Sequence, residues 1–245
     1  MRLIINADDL GRNTQVNAVI FDLIDRRLVT SATIMANGPA LEECLVRIPA
    51  YPSCSFGIHL NITEFQPLTS SAPLAELLDP RGNFSLANYR KARLGQALRK
   101  DIFLEWSAQV QRLCSYGQKV SHLDSHHDVH TDPRLFFMLK RLQRVFGIRK
   151  ARIAPNISLD PKITFRKNRL WNLALRHLYA TTTTSGFTDF ATFLQAPEEI
   201  ARRHPTMELM VHPGSPRFAA ETGALQTPWL AGLPFAVRLI SYCEL

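Results

Sequence analysis

Residues 3–11 read LIINADDLG. An apolar run this short, bounded by polar residues, is the pattern of a buried strand. Two adjacent carboxylates, Asp8 and Asp9, stand directly behind it. In a parallel α/β sheet the C-terminal strand ends share one face, and sites are built there. The aspartates are therefore expected at a strand mouth. Neighbouring side chains on an extended strand point to opposite sides. Both aspartates reach one site only if the chain bends after Ala7, and Gly11 suits such a turn. Either one alone also has a plainer use, as the cap of the next helix.

Working outward, the alternation continues. The segment 13–27, NTQVNAVIFDLIDRR, predicts a helix with Asn13 or Thr14 as cap and Val16, Val19, Ile20, Leu23 and Ile24 in one stripe. VTSATIMA (29–36) and SFGIHLNIT (55–63) predict strands, and ALEECLVRI (40–48) a helix stopped by Pro49. One or two helices follow the DPRGNF loop, over roughly 87–116. KVSHLDSHHDVH (119–130) predicts a strand running into a polar end. The helix after it has Asp132 as cap, Pro133 in its first turn and Gly147 at its stop. KARIAP (150–155) and TMELMVH (206–212) predict further strands. Strand–helix alternation of this kind means a parallel sheet with helices outside it, as a barrel or a doubly wound sheet. The stretch 156–195 breaks the pattern. It is basic, carries Trp171, Tyr179, Phe187, Phe190 and Phe193, and reads as an excursion over one face, a lid or substrate wall.

The 245 residues, 46% of them hydrophobic, suffice for one large domain or two small ones with a full core, and exclude a disordered tail. No run of about 18 apolar residues exists to span a membrane. The N-terminus lacks the apolar core of a signal peptide, so a cytoplasmic protein is expected. Cysteines 44, 54, 114 and 243 form no Cys-x-x-Cys pair and read as reduced packing residues. The net charge of +8 admits an anionic partner. The basic runs at 90–100, 140–152 and 166–176 are mixed with leucines at helical spacing, however, and read as the wet faces of amphipathic helices.

Chemistry-bearing residues collect at the expected strand ends. His59 sits late in FGIHLN, and His212 ends MELMVH. Residues 122–130 hold His122, Asp124, His126, His127, Asp128 and His130, with the even positions on one side if the strand continues. A lone histidine at 59 or 212 also fits a satisfied core or loop position. The 122–130 cluster is harder to explain that way, although a polar surface loop would account for it. Two imidazoles and a carboxylate, with positions left for water, make an open metal site. Zinc and its neighbours suit imidazole, while magnesium and manganese suit carboxylates. A carboxylate beside such a metal can serve as general base.

At these residues the chain resembles the YdjC-like carbohydrate deacetylases, which include chitooligosaccharide deacetylases. The matching stretches are LIINADDLG with VNAVI, VTSATIMANG, GIHLNITEFQPL, HLDSHHDVH, ARIAP, ELMVHPG and ISYCEL. The resemblance implies a single domain over 1–245 with a deformed (β/α) barrel of the glycoside hydrolase/deacetylase type. It implies hydrolysis of N-acetyl groups on an amino sugar of an oligosaccharide or glycoconjugate, using one divalent metal ion, Mg2+ by family and Zn2+ as the second choice. Carried over, the ligands are Asp9, His59 and His126, Asp8 is the general base and His212 the general acid. His130, four residues after His126, is an extra ligand or an outer-shell group. Asp124 is an outer-shell or substrate-binding group, and Arg152 orients a carboxylate or binds substrate. The resemblance is compatible with a homodimer and implies no nucleic acid and no membrane span. Two positions depart from it: Asp128 stands where relatives often have histidine, and Phe65 where they often have glycine. The rival readings are a metal-dependent hydrolase of another N-acyl or phosphoester substrate, a basic nucleic-acid-binding protein with a structural histidine cluster, and a sugar binder without turnover.

Overall fold

The computed structural model describes residues 1–160, 162, 163 and 165–245. β1 (Arg2–Leu10) lies in the interior of a parallel sheet. Its apolar residues Leu3, Ile4, Ile5, Ala7 and Leu10 have no exposed surface. Together with β2 (Ser31–Ile34), β3 (Ser55–Leu60), β4 (Leu123–Ser125), β5 (Gly186–Asp189) and β6 (Thr206–Val211) it forms the order β4-β3-β2-β1-β6-β5. The two-residue β7 (Arg238–Leu239) pairs with the start of β1. Among the described residues every pairing of these strands is parallel. The chain is thus α/β, with its sheet curled into a deformed half-barrel. Beyond β4, single bridges join Leu123 to Ala151 and Lys150 to Thr182. They carry the sheet's far edge round towards the segment that enters β5.

Helices α1 (Thr14–Asp25), α2 (Leu41–Arg47), α3 (Leu86–Lys91), α4 (Gln96–Ser115), α5 (Phe136–Phe146), α6 (Arg166–His177), α7 (Phe190–Gln195), α8 (Pro197–Arg203) and α9 (Ala219–Leu225) supply the connections. α1 follows its sequence pattern. Asn13 accepts from the Val16 backbone N–H, and Val16, Ile20, Leu23 and Ile24 are buried. Within α1, buried Asn17 accepts from the Gly11 N–H at 2.7 Å and donates to the Ala40 carbonyl at 3.0 Å. This clamps the turn that carries the two aspartates. Asp132 caps the turn leading into α5, and Gly147 ends that helix at φ 68°. All four cysteines are free. Among the described residues no helix is long and apolar enough to cross a membrane.

Three expectations change. KARIAP makes single bridges rather than a strand. The strand in 119–130 stops at Ser125, and His127 and Asp128 take left-handed conformations at φ 52° and 54°. The alternation of even positions therefore breaks before His126. The stretch 156–195, two of whose residues lie outside the described ones, is not all excursion. β5 is one of its segments, and Phe187, Phe190 and Phe193 are buried in the core. A four-residue strand reading GFTD carries too little alternation to be recognised locally.

The β3–β4 contact sets the site and is tight. A Cβ on Gly57 would meet the His122 ring at 2.6 Å and the His122 carbonyl at 2.7 Å. Gly57→Ala is expected to destabilise the fold by about 1–3 kcal/mol through overpacking. Urea unfolding checks this, and a loss below about 0.5 kcal/mol would mean that β4 yields freely.

Candidate active site

At the C-terminal end of β1 the register slips between Ala7 and Leu10. Asp9 sits at φ 69°, a left-handed conformation that aspartate adopts more readily than most residues. This bend brings both Asp8 and Asp9 to the lining of one cavity of about 400 Å³. His59 at the end of β3, His126 just after β4 and His212 just after β6 line the same cavity, as do Arg12, Asp128, Arg217 and Phe218.

Asp9 Oδ1 lies 2.9 Å from His126 Nδ1 and 3.3 Å from His59 Nε2. It is buried and makes no hydrogen bond. Ligand atoms of these three residues fall within 4.8 Å of one another. The register of β3 and β4 places His59 beside Asp124. His59 Nδ1 and Asp124 Oδ1 are 2.6 Å apart. When His59 Nδ1–H donates to the Asp124 carboxylate, the lone pair of His59 Nε2 faces Asp9. A carboxylate behind a histidine in this way fixes a metal ligand's tautomer and orientation. Glu64 stands beside His126, its Oε2 2.9 Å from Nε2 but outside hydrogen-bond geometry. Arg12 joins the other two, with Nη1 at 3.0 Å from Asp9 Oδ2 and Nη2 at 2.7 Å from Glu64 Oε1. An unpartnered carboxylate oxygen facing two imidazoles, one of them oriented by Asp124, fits a divalent cation in an open site.

Asp8 is held from behind. Arg152 has no exposed surface and donates to both its oxygens, at 2.7 and 2.6 Å. The same guanidinium lies 2.9 Å from Asp124 Oδ2 and donates from Nε to Glu208 Oε1 at 2.8 Å. Burial pushes the Asp8 carboxyl up, but the Arg152 charge and hydrogen bonds outweigh it and hold it at about 2. Glu208, where burial wins, is pushed up to about 7. The Tyr242 hydroxyl donates to Glu208. Arg152 thus orients carboxylates and does not line the cavity.

The histidines divide. His212 Nδ1 is buried and unpartnered, and the ring stacks on Phe218 with centroids 4.3 Å apart. Burial lowers its pKa. His130 does not join the ligand group. Its ring nitrogens contact Ser125 Oγ at 2.6 Å and the Arg152 carbonyl at 3.3 Å, and burial drives it to about 3. His122 is likewise interior, stacked on Tyr242 at 3.7 Å and bonded to Asn6. Asp128 faces the cavity with a buried, unpartnered Oδ1, and burial pushes its carboxyl up to about 6. Phe65 has φ 62°, a conformation glycine takes without strain. Arg12, Glu64 and Glu208 were not singled out from sequence. Arg12 and Glu64 stand three and five residues from Asp9 and His59, but only the fold shows that they face each other.

Residues 2–232 match the family model described as YdjC-like protein. A carbohydrate deacetylase of Halalkalibacterium halodurans is 34% identical over 149 residues, 60% of this chain and 62% of that protein. That match spans less than two thirds of the relative's own length. Carbohydrate deacetylase 2 of Listeria innocua is 30% identical over 237 residues, 93% of this chain and 87% of that one. A crystal structure from Enterococcus faecalis V583, of a protein assigned to cellobiose-phosphate cleavage, superposes with a TM-score of 0.80 at 22% identity, covering 99% of this chain and 98% of the other. At that identity the likeness is one of fold.

Proposed function

The chain belongs to the YdjC-like family, and on that premise we propose that it is a metal-dependent hydrolase that removes N-acetyl groups from an amino sugar in an oligosaccharide or glycoconjugate. The observation that carries the reading is the convergence of Asp9 Oδ1, His59 Nε2 and His126 in a cavity also lined by Asp8 and His212. The deacetylase names of the family relatives agree with it. Asp9, His59 and His126 would hold the cation, magnesium by family resemblance; the two imidazoles also suit zinc.

A divalent cation there would lower the pKa of a water molecule and polarise the acetyl carbonyl. Asp8 accepts the water proton. The Arg152 fork keeps Asp8 ionised near neutral pH and fixes its direction. A carboxylate held at about 2 is a weak base, so it depends on an acidified water. The water oxygen bonds to the amide carbon, the carbon–nitrogen bond breaks, and His212 gives a proton to the departing amine. Its Nδ1 is free of other partners, and burial makes a proton held there easy to release. The products are acetate and a free amino sugar. Phe218, half-buried beside His212, offers an aromatic face for a sugar ring.

Acetate release from a panel of N-acetylated sugars, chitobiose included, tests the reading. Acetate is expected to appear, to stop with EDTA and to return on adding metal. Release of inorganic phosphate from phosphoesters, with no acetate from any acylated sugar, would replace it with a phosphoesterase. Glu64→Gln is expected to weaken divalent-ion binding by about 10–100-fold, because His126 loses the group behind it. Isothermal titration reads this directly, and an unchanged affinity would remove Glu64 from the site.

A further inference from the structure

We propose that the outer face of α6 docks this protein on an anionic membrane surface. α6 is anchored inward by Trp171, Asn172 and Leu175. Its outward residues include Leu170, 69% exposed, and Leu173, 52% exposed; Leu178, just past the helix, is 50% exposed. Arg166, Lys167 and Arg169 are exposed on the same helix. Leu170 and Leu173 line one open groove of about 690 Å³ with Arg166, Arg169 and Arg176. No acidic residue occurs between Asp160 and Asp189.

Leucines held in water beside cations, in a segment with no acidic residue of its own, call for a partner that is apolar and negative together. Anionic lipid is both: headgroups meet the arginines while the leucines enter the acyl boundary. A nucleic acid would meet the cations and leave the leucines wet. A second copy docking through this face would set arginine against arginine. The chain's net charge of +8 points the same way. The proposal concerns a surface helix lying on a membrane, not a span.

The test is co-sedimentation of the full chain with phosphatidylcholine vesicles, with and without phosphatidylglycerol as roughly a third of the lipid. The wild type is expected to bind the anionic vesicles only. The double variants Leu170→Ser/Leu173→Ser and Arg166→Glu/Arg169→Glu are each expected to lower that partitioning by at least about tenfold. Both should keep the wild-type melting temperature, since the altered side chains are exposed. No binding to anionic vesicles overturns the proposal. So does binding that survives loss of the leucines and is matched on single-stranded RNA, which would make the face a polyanion site. A dimer in light scattering, without lipid, that the leucine variant dissolves would assign the face to a second copy instead.

Discussion

Replacing Arg152 with methionine is expected to cost roughly 3–5 kcal/mol of stability at about pH 7, the usual loss when one partner of a buried ion cluster is removed. The reason is the arithmetic of charge around it. One guanidinium with no exposed surface touches Asp8, Asp124 and Glu208, all of them buried. Without it His59 is the buried cationic group left beside Asp124 and Asp8, and the carboxylates relieve the remaining penalty by taking up protons. In the wild type Glu208, whose folded pKa is raised to about 7, already costs stability as pH rises above its ordinary range, and this loss should steepen in the variant. In the wild type Asp8 has its folded pKa depressed to about 2 from 3.8, so its contribution is present above about pH 4 and is lost as pH falls towards 2. In the variant that depression is weakened, so Asp8 adds less stability above about pH 4. Urea unfolding at about pH 7 and about pH 5 reads the loss and its steeper growth with pH, and a series from about pH 4 down towards pH 2 reads the Asp8 contribution. Arg152→Lys keeps a charge but not the two-pronged contact with Asp8, and serves as the foldable variant if methionine abolishes folding. A methionine variant within about 1 kcal/mol of wild type at neutral pH would show that Arg152 does not hold the carboxylates together.

Asp8→Asn is expected to lower turnover by about 10²–10⁴ while leaving metal affinity near wild type, the range seen when a general base is lost. Asp9→Asn, one residue along, is expected to lose metal affinity first, with activity returning in part at high metal concentration. The contrast is sharp because the two side chains are alike in type and adjacent, yet differ in what backs them. Asp8 spends both oxygens on Arg152. Asp9 gives Oδ2 to Arg12 and leaves Oδ1 unpartnered between two imidazoles. Steady-state acetate release paired with metal titration separates the two roles. Full turnover in Asp8→Asn would end its assignment as the base, and an Asp9→Asn protein with wild-type metal affinity would end the assignment of the ligand set.

Much of this was written locally. The apolar run of β1, the capped stripe of α1 and the turn chemistry around Asp132 and Gly147 each depend on a few neighbouring residues, and the structure follows them. Because parallel strands end on one face, even Asp9, His59, His126 and His212 could be expected to meet although more than 200 residues separate the first from the last. What local pattern does not carry is which atoms oppose which. The bend at Asp9 depends on the register slip between β1 and β2. The partnership of His59 with Asp124 depends on the register of β3 against β4. His122 and His130 carry the same chemistry as His126, and only the end of β4 at Ser125 turns His126 to the cavity and leaves the other two in the core. Arg152 meets three carboxylates from strands scattered along the chain, so no spacing announces it. Strand existence and polarity follow from short-range periodicity, whereas register and side-chain partners are settled by the packing of the whole sheet.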